Sequence, residues 1–175
     1  MPGESLPGAA ARRLREFTAG RHAARLALNL RVSIPRDHDR YPVWPKGWTG
    51  SISHCGPIAL AAVMPISTGQ TVGIDIEERG PLDPAVAKLV AEGTDGDTAK
   101  AVFVAKEAAY KAQFAVSRMV MGYDGFQISL DDDAFEAQFT QNAGPFRAGN
   151  TLRGKFWSNT RYLIATVTVS RTDRI

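Results

Sequence analysis

Two carboxylates stand two residues apart in an apolar segment, where Asp75 and Glu77 alternate with Ile74 and Ile76. In a β-strand this spacing places both acids on one face and both isoleucines on the other. The two acidic Cα atoms would lie about 6.6 Å apart, so both carboxylates can meet on one hard cation. Mg²⁺ suits such a site, whereas zinc prefers histidines and cysteines that the motif lacks. A polar face on an edge strand is the alternative interpretation.

A third acid stands beside a base, because Glu107 and Lys111 are four residues apart and share one face of a predicted helix. An ordinary surface salt bridge, worth about 0.3–0.5 kcal/mol, is the alternative. The aromatic residues Phe103, Tyr110 and Phe114 surround this pair. Side chains of that size usually pack rather than face water, which favours a role for the pair inside a cleft.

A histidine ends the short segment GSISHC at residues 50–55. The ring of His54 can donate a hydrogen bond to a phosphate, although a structural histidine is the alternative. Cys55 is predicted to be a small core residue rather than a nucleophile, because no helix N-terminus or second histidine adjoins it in the sequence.

Arginines are concentrated near the start of the chain, although the net charge is only +3, from 21 Lys and Arg against 18 Asp and Glu. Arg21 and Arg25 lie one helical turn apart, and Arg40 follows in a proline-rich loop. Guanidinium groups bind phosphate oxygens in pairs, so these residues predict a site for phosphates or an acidic protein surface. A nucleic-acid-binding module is an alternative, but it would leave Asp75, Glu77 and Glu107 without a role.

Hydrophobic periodicity predicts the elements that must position these residues. In the first half they are a helix at 9–30, an extended loop at 32–50, and strands at 51–64 and 71–77. In the second half they are a helical region after Pro81, a long helix from an N-cap at Asp97 to about Arg118, and strands at 125–131, 134–141, 151–159 and 162–169. This order predicts an α+β fold of two similar lobes, residues 1–80 and 81–175, each with a small antiparallel sheet packed on a helix.

Composition predicts a soluble cytoplasmic protein. Apolar residues make up 44% and charged residues 22% of the chain, and no apolar stretch approaches the roughly 20 residues that span a bilayer. The first residues lack the basic and apolar regions of a secretory signal. A single cysteine excludes an internal disulfide and a thiolate-rich metal site, in agreement with a reducing compartment.

Taken together and in order, these motifs resemble the Sfp-type 4′-phosphopantetheinyl transferases, and within them the branch of the enterobactin and mycobacterial enzymes. Five segments are similar to the family patterns F-x-x-x-R-x-x-A-R, R-x-P-x-W-P-x-G, G-S-x-S/T-H, G-I-D-x-E and F-x-x-K-E-x-x-x-K. They are residues 17–25, 40–47, 50–54, 73–77 and 103–111, respectively. The resemblance spans nearly the whole chain.

The resemblance implies two pseudo-symmetric lobes with coenzyme A, the co-substrate, in the cleft between them. It implies that Asp75, Glu77 and Glu107 hold Mg²⁺, with Mn²⁺ as a possible substitute. The implied phosphate ligands are Arg21, Arg25 and Arg40 near the nucleotide 3′-phosphate, Ser53 and His54 on the phosphate groups, and Lys106 and Lys111 facing the pyrophosphate.

The implied reaction moves the phosphopantetheine arm of coenzyme A onto a serine of an acyl or peptidyl carrier protein, with release of 3′,5′-adenosine bisphosphate. Glu107, or a water on the metal, would be the base and Lys111 would stabilise the leaving phosphate. A monomer is expected, without a nucleic-acid or membrane partner. Carriers of fatty acid, polyketide and nonribosomal peptide synthesis are all candidates, and a non-catalytic relative that only binds coenzyme A or a carrier is the alternative function.

Overall fold

The structure is a computed structural model that describes residues 1, 3–91, 94 and 96–170. It has an α+β architecture with two antiparallel sheets, which confirms the predicted fold class. The helices are α1 (Ala11–Leu28), α2 (Pro84–Val90) and α3 (Gly96–Ser117). The strands are β1 (Trp48–Cys55), β2 (Ile58–Pro65), β3 (Gln70–Glu78), β4 (Phe126–Leu130), β5 (Ala134–Phe139), β6 (Thr151–Ser158) and β7 (Tyr162–Ser170).

The smaller sheet is the hairpin of β1 and β2, which corrects one prediction. Residues 51–64 were expected to form a single strand, but the chain reverses between Cys55 and Ile58. Gly56 takes a left-handed backbone conformation with φ 55° at this turn, which a residue without a side chain adopts at little cost. Helix α1 packs on the hairpin through a core that contains Ala24 and Leu28.

The larger sheet has the strand order β3-β7-β6-β5-β4. Its core face packs on α3, whose Ala105, Ala108 and Ala112 are completely buried. Helix α3 begins at Gly96, so Asp97 lies in its first turn rather than at the N-cap position. Strand β3 belongs to the first predicted lobe by sequence but pairs along its length with β7 of the second. The two predicted lobes therefore share a sheet.

Side chains of β1 complete the hydrogen bonding along the outer edge of β3. The hydroxyl of Ser51 accepts from the backbone N–H of Ile74 at 3.1 Å, and the Sγ atom of Cys55 accepts from that of Glu78 at 3.2 Å. An unpaired strand edge is otherwise exposed to water or to other chains. These contacts join the hairpin to the five-stranded sheet and bring β1 next to the carboxylates of β3.

Within the described part of the chain, none of the helices combines the length and the apolar character that crossing a membrane requires.

Candidate active site between strand β3 and helix α3

A glycine sets the distance between β3 and α3. A Cβ atom added at Gly73 would lie 2.0 Å from the carbonyl oxygen of Ala108 and 2.6 Å from the amide nitrogen of Ala112. No side chain fits in that space, so the backbone of β3 lies directly against the helix. This contact brings Asp75, two residues further along β3, next to Lys111 on α3.

The Lys111 ammonium group joins α3 to β3 and to β1 through three hydrogen bonds. Its Nζ atom donates to Asp75 Oδ1 at 2.5 Å, to the Ser53 hydroxyl at 3.2 Å and to the carbonyl oxygen of Ile74 at 3.3 Å. The first bond is charge-assisted, which makes it stronger than a bond between neutral groups. The sequence pattern predicted that Lys111 faces its helical neighbour Glu107, whereas its closest acidic partner is Asp75.

The two carboxylate oxygens of Asp75 have different environments. Oδ1 accepts hydrogen bonds from Ser53 at 2.7 Å and from Lys111. Oδ2 is buried and has no hydrogen-bond partner, and the residue as a whole is only 3% exposed. Leaving a buried carboxylate oxygen unpaired is costly, so such an atom is typical of a functional position. A cation bound at Oδ2 would remove that cost.

Two further carboxylates share the electrostatic environment of Asp75. Burial, and then the negative charge of Asp75, raise the pKa of Glu77. The pKa of Glu107 is also raised, with burial as the largest cause. The Lys111 ammonium lowers this pKa, and the Asp75 charge raises it. The Asp75 charge thus increases the cost of ionising Glu77 and Glu107, and a divalent cation among the three would reverse this effect. We call Asp75, Glu77 and Glu107 the acidic seam.

Tyr123 is a member of the site that the sequence did not predict. Its hydroxyl group shares a hydrogen bond with Glu107. Burial raises the pKa of Tyr123 most, and the charges of Glu107, Asp75 and Glu77 raise it further. All three carboxylates of the acidic seam therefore raise the pKa of the Tyr123 phenol. The residue follows Met121 and Gly122 in a short 3₁₀ turn, for which the local sequence carries no recognisable functional pattern.

The donor set of the acidic seam fits a hard cation such as Mg²⁺, because it offers only oxygen ligands, one of them the unpaired Oδ2. The carboxylate oxygens of the acidic seam lie farther from one another than the possible ligand atoms of another group of residues do. Among the residues that the structure describes, only Asp37, His38 and Asp39 bring three ligand atoms within 4.8 Å of one another. That set faces solvent and Arg118 pairs with both of its acids. Convergence on Asp75 Oδ2 requires the longer side chains of Glu77 and Glu107 to turn toward it.

A basic cavity of about 250 Å³ adjoins the acidic seam at Lys111. Its other basic lining residues come from α1, the following loop and β1, and they outnumber the two acids of the lining, Glu16 and Asp39: Arg13, Arg21, Arg36, Arg40 and His54. Aromatic rings of Phe17, Tyr41, Tyr110 and Phe114 form part of its wall. Arginines beside aromatic rings can bind phosphates and stack on a planar base. We call this space the basic cavity.

The buried Arg21 is fixed by its surroundings. It is 5% exposed, its Nε atom donates to the carbonyl oxygen of Ile34 at 2.5 Å, and its guanidinium lies 4.4 Å from the ring centroid of Phe17. Burial lowers the pKa of Arg21 to about 10, which leaves the group charged at neutral pH. Arg21 therefore presents a fixed positive charge to the basic cavity.

The other predicted ligands differ in whether they reach the basic cavity. Arg40 and His54 line it, whereas Arg25 lies outside and binds both carboxylate oxygens of Glu4, at 2.7 and 2.9 Å. His54 Nε2 lies 3.3 Å from Arg13 Nη1. Burial lowers the pKa of His54, so its ring is neutral at physiological pH.

Lys106 also lies outside the basic cavity. Its ammonium donates to the carbonyl oxygens of Val90 at 2.8 Å and Tyr123 at 2.7 Å. It lines a separate cavity of about 200 Å³ together with Glu107 and Tyr110. The structure therefore does not place Lys106 beside Lys111, because residues five positions apart on a helix project from different sides of it.

Arg13 and Arg36 line the basic cavity although they were not among the predicted ligands. Arg13 lies two helical turns before Arg21 on α1, with Phe17 between them, so its spacing was a usable signal. Arg36 lies in the loop after α1, where no periodicity identifies the side chain that faces inward.

The buried carboxylates and the arginine-lined cavity together offer the residue types that can hold a phosphorylated ligand and a metal ion. Comparison with known proteins identifies the family. The family model for the 4′-phosphopantetheinyl transferase N-terminal domain matches residues 3–64. The chain is 31% identical to 4′-phosphopantetheinyl transferase PptT of Mycobacterium tuberculosis, over 91% of this chain and 80% of that protein.

Further relatives have similar names. The chain is 31% identical to 4′-phosphopantetheinyl transferase Svp of Streptomyces mobaraensis, over 82% of this chain and 65% of that protein. It is 46% identical to enterobactin synthase component D of Escherichia coli, over 42% of this chain and 35% of that protein. The chain belongs to the 4′-phosphopantetheinyl transferase family, whose members are transferases. This confirms the resemblance drawn from the sequence motifs.

Proposed function

We propose that this chain transfers the 4′-phosphopantetheine group of coenzyme A to a serine hydroxyl of an acyl or peptidyl carrier protein. The new bond joins the serine oxygen to the phosphorus attached to pantetheine. The bond that breaks joins that phosphorus to the oxygen of 3′,5′-adenosine bisphosphate, which leaves. The names of the relatives and the site geometry support the same reaction.

The observation that carries the proposal is the unpaired, buried Oδ2 of Asp75, next to Lys111 at the border of the basic cavity. A diphosphate needs positive charge on both sides and a rigid support for it. Arg21, Arg40 and Lys111 offer that charge from the basic cavity. The acidic seam offers carboxylate oxygens for a divalent ion.

Asp75, Glu77 and Glu107 would hold Mg²⁺, for which Mn²⁺ can substitute. When bound, the ion would neutralise the charge that develops on the phosphate oxygens of the diphosphate. The structural support for this assignment is the oxygen-only donor set and the raised pKa values of Glu77 and Glu107.

The side chains of the protein would position the reactants and move one proton. Glu107 would accept the proton of the carrier serine. The Lys111 ammonium would stabilise the leaving phosphate oxygen. No nucleophile of the enzyme is needed, because the attacking hydroxyl belongs to the carrier.

The organisation of the whole chain is part of the proposal. We propose two pseudo-symmetric lobes, residues 1–80 and 81–175, in one monomeric cytoplasmic unit with the substrate cleft between them. The pairing of β3 with β7 means that the lobes would fold together rather than separately. The basic surface around α1 would attract acidic carrier proteins.

The proposed reaction can be tested by intact-mass analysis of an apo carrier protein incubated with the chain, coenzyme A and Mg²⁺. We expect the carrier to gain the mass of one phosphopantetheine group, and to gain nothing when its acceptor serine is replaced by alanine. Unmodified carrier in the presence of bound coenzyme A would instead identify a non-catalytic binding relative and would refute the proposal.

A further inference from the structure

The hydroxyl group of Ser53 makes its full set of hydrogen bonds inside the protein. It donates to Asp75 Oδ1 at 2.7 Å and accepts from Lys111 Nζ at 3.2 Å and from the backbone N–H of Ile76 at 3.4 Å. A hydroxyl group has one donor and two acceptor sites, and the residue is only 6% exposed. No capacity is left for a phosphate, which is the ligand that the sequence motif predicted for Ser53.

These bonds fix the rotation of the Asp75 carboxylate. Ser53 and Lys111 both hold Oδ1, so Oδ2 is the oxygen left without a partner. If the Ser53 hydroxyl were absent, the carboxylate could turn and share both oxygens with the Lys111 ammonium. The orientation that leaves Oδ2 available for a cation therefore depends on Ser53.

The neighbouring positions of β1 show that this contact is specific to Ser53. Ser51 is equally buried, but its hydroxyl accepts from the backbone N–H of Ile74. Thr49 pairs with the hydroxyl of Thr71 at 3.0 Å. Within the described chain, Ser53 is the residue of β1 whose side chain hydrogen-bonds to Asp75 and Lys111.

We propose that Ser53 is a positioning residue, which orients Asp75 and Lys111 so that Oδ2 of Asp75 is presented to the metal ion. This inference rests on the metal centre of the proposed function. Hydrogen-bond partners behind a metal ligand commonly change metal affinity by about 10–100-fold when they are removed.

The test is the dissociation constant for Mn²⁺, measured without coenzyme A by the electron paramagnetic resonance signal of the free ion. Ser53→Ala is expected to bind Mn²⁺ at least about ten-fold more weakly than the unsubstituted chain. Ser53→Thr keeps the hydroxyl group and is expected to bind within about two-fold of it, since the hydrogen bonds are retained.

Thr49→Val is the matched control, because it removes a buried hydroxyl from the same strand without a contact to Asp75. It is expected to lower thermal stability and to leave Mn²⁺ affinity unchanged. A second measurement, the affinity for coenzyme A without metal, separates positioning from phosphate binding: Ser53→Ala is expected to change it by less than it changes the affinity for Mn²⁺.

Unchanged Mn²⁺ affinity in Ser53→Ala, with normal binding by the unsubstituted chain, would overturn the role of Ser53 alone. Weaker binding of coenzyme A without metal, at unchanged Mn²⁺ affinity, would overturn it in favour of a phosphate ligand. An unsubstituted chain that binds no Mn²⁺ would overturn the metal centre of the proposed function, and the inference with it.

Discussion

The acidic seam and the basic cavity differ in how their charged groups are held. In the acidic seam, Asp75 lies on a buried strand that touches α3 at Gly73, and a network of short hydrogen bonds fixes one of its oxygens. In the basic cavity, Arg40 extends from a loop and is exposed, and Arg21 is the one lining arginine that is buried. The comparison shows that core packing holds the acidic seam in place. The basic cavity depends instead on long side chains that can adjust to a ligand.

The largest effect is expected from the acidic seam. Glu107→Gln should lower the rate of carrier modification by about 10²–10⁴-fold, because it removes both the proposed base and a carboxylate ligand. The rate is measured by intact mass at saturating coenzyme A. Glu136→Gln, an exposed position on the far strand β5, is the control and should leave the rate unchanged. A Glu107→Gln variant with the parent rate would refute the assignment.

The next prediction compares backbone packing at Gly73, where β3 touches α3 beside the acidic seam, with packing at Gly20, where α1 lines the basic cavity. Gly73→Ala should lower the free energy of unfolding by about 1–3 kcal/mol, because the new methyl group collides with the backbone of α3. Gly20→Ala on α1 meets only a side-chain methyl of Ile52 at 2.8 Å. There the better helix propensity of alanine, worth about 1 kcal/mol, offsets the contact. Urea denaturation of both variants should therefore rank Gly73→Ala as clearly less stable, and equal losses would remove the distinction.

A smaller effect is expected in the basic cavity. Arg40→Ala should raise the KM for coenzyme A about ten-fold, because it removes one charge-assisted hydrogen bond worth about 1.5 kcal/mol. Arg25→Ala should raise it much less, because Arg25 is bound to Glu4 outside the cavity. Steady-state kinetics with one carrier protein measures both values. A larger effect of Arg25→Ala than of Arg40→Ala would show that the cavity rearranges around its ligand.

The smallest effect concerns the pH dependence of stability. Burial, as the largest cause, lowers the pKa of His54 in the folded protein below its ordinary value of 6.5, and Arg13 lowers it further while Glu16 opposes the shift. Below pH 6.5 the unfolded chain therefore binds a proton before the folded chain does, so folding loses stability as the pH falls from 6.5 through the lowered pKa.

The His54→Gln variant has no imidazole to titrate. Its stability relative to the parent should therefore increase as the pH falls from 6.5 through the lowered pKa, and should stay constant above pH 6.5. Thermal unfolding of both chains at several pH values between about 5 and 8, the range in which histidine ordinarily titrates, measures the difference in stability. A difference that does not depend on pH would contradict the direction of the shift.

The sequence predicted most of the local structure but not all of its pairings. The long helix α3 and the four strands after it have strong hydrophobic periodicity, and each prediction lies close to the observed bounds. The β1–β2 hairpin was missed although the dipeptide Gly56-Pro57, an ordinary turn signal, lies between its two strands. The pairing of β3 with β7 joins segments about ninety residues apart, and local patterns do not specify such contacts.

Prediction of the site was similarly uneven. Asp75, Glu77, Glu107 and Lys111 come from two motifs on regular elements, whose geometry fixes the direction of each side chain. The structure places Lys111 against Asp75, whereas the convergence of the three carboxylates on one ion stays a prediction. The arginines are harder to assign, because several lie in one basic run and only tertiary contacts decide which of them faces inward. Glu4, a residue without any motif, holds Arg25 outside the basic cavity.

The most direct test of the account is anomalous diffraction from crystals grown with Mn²⁺ and coenzyme A. We expect a manganese peak at coordination distance, about 2.1–2.2 Å, from Asp75 Oδ2, with carboxylate oxygens of Glu77 and Glu107 in the same shell. A peak at Asp37, His38 and Asp39, with none between β3 and α3, would contradict it.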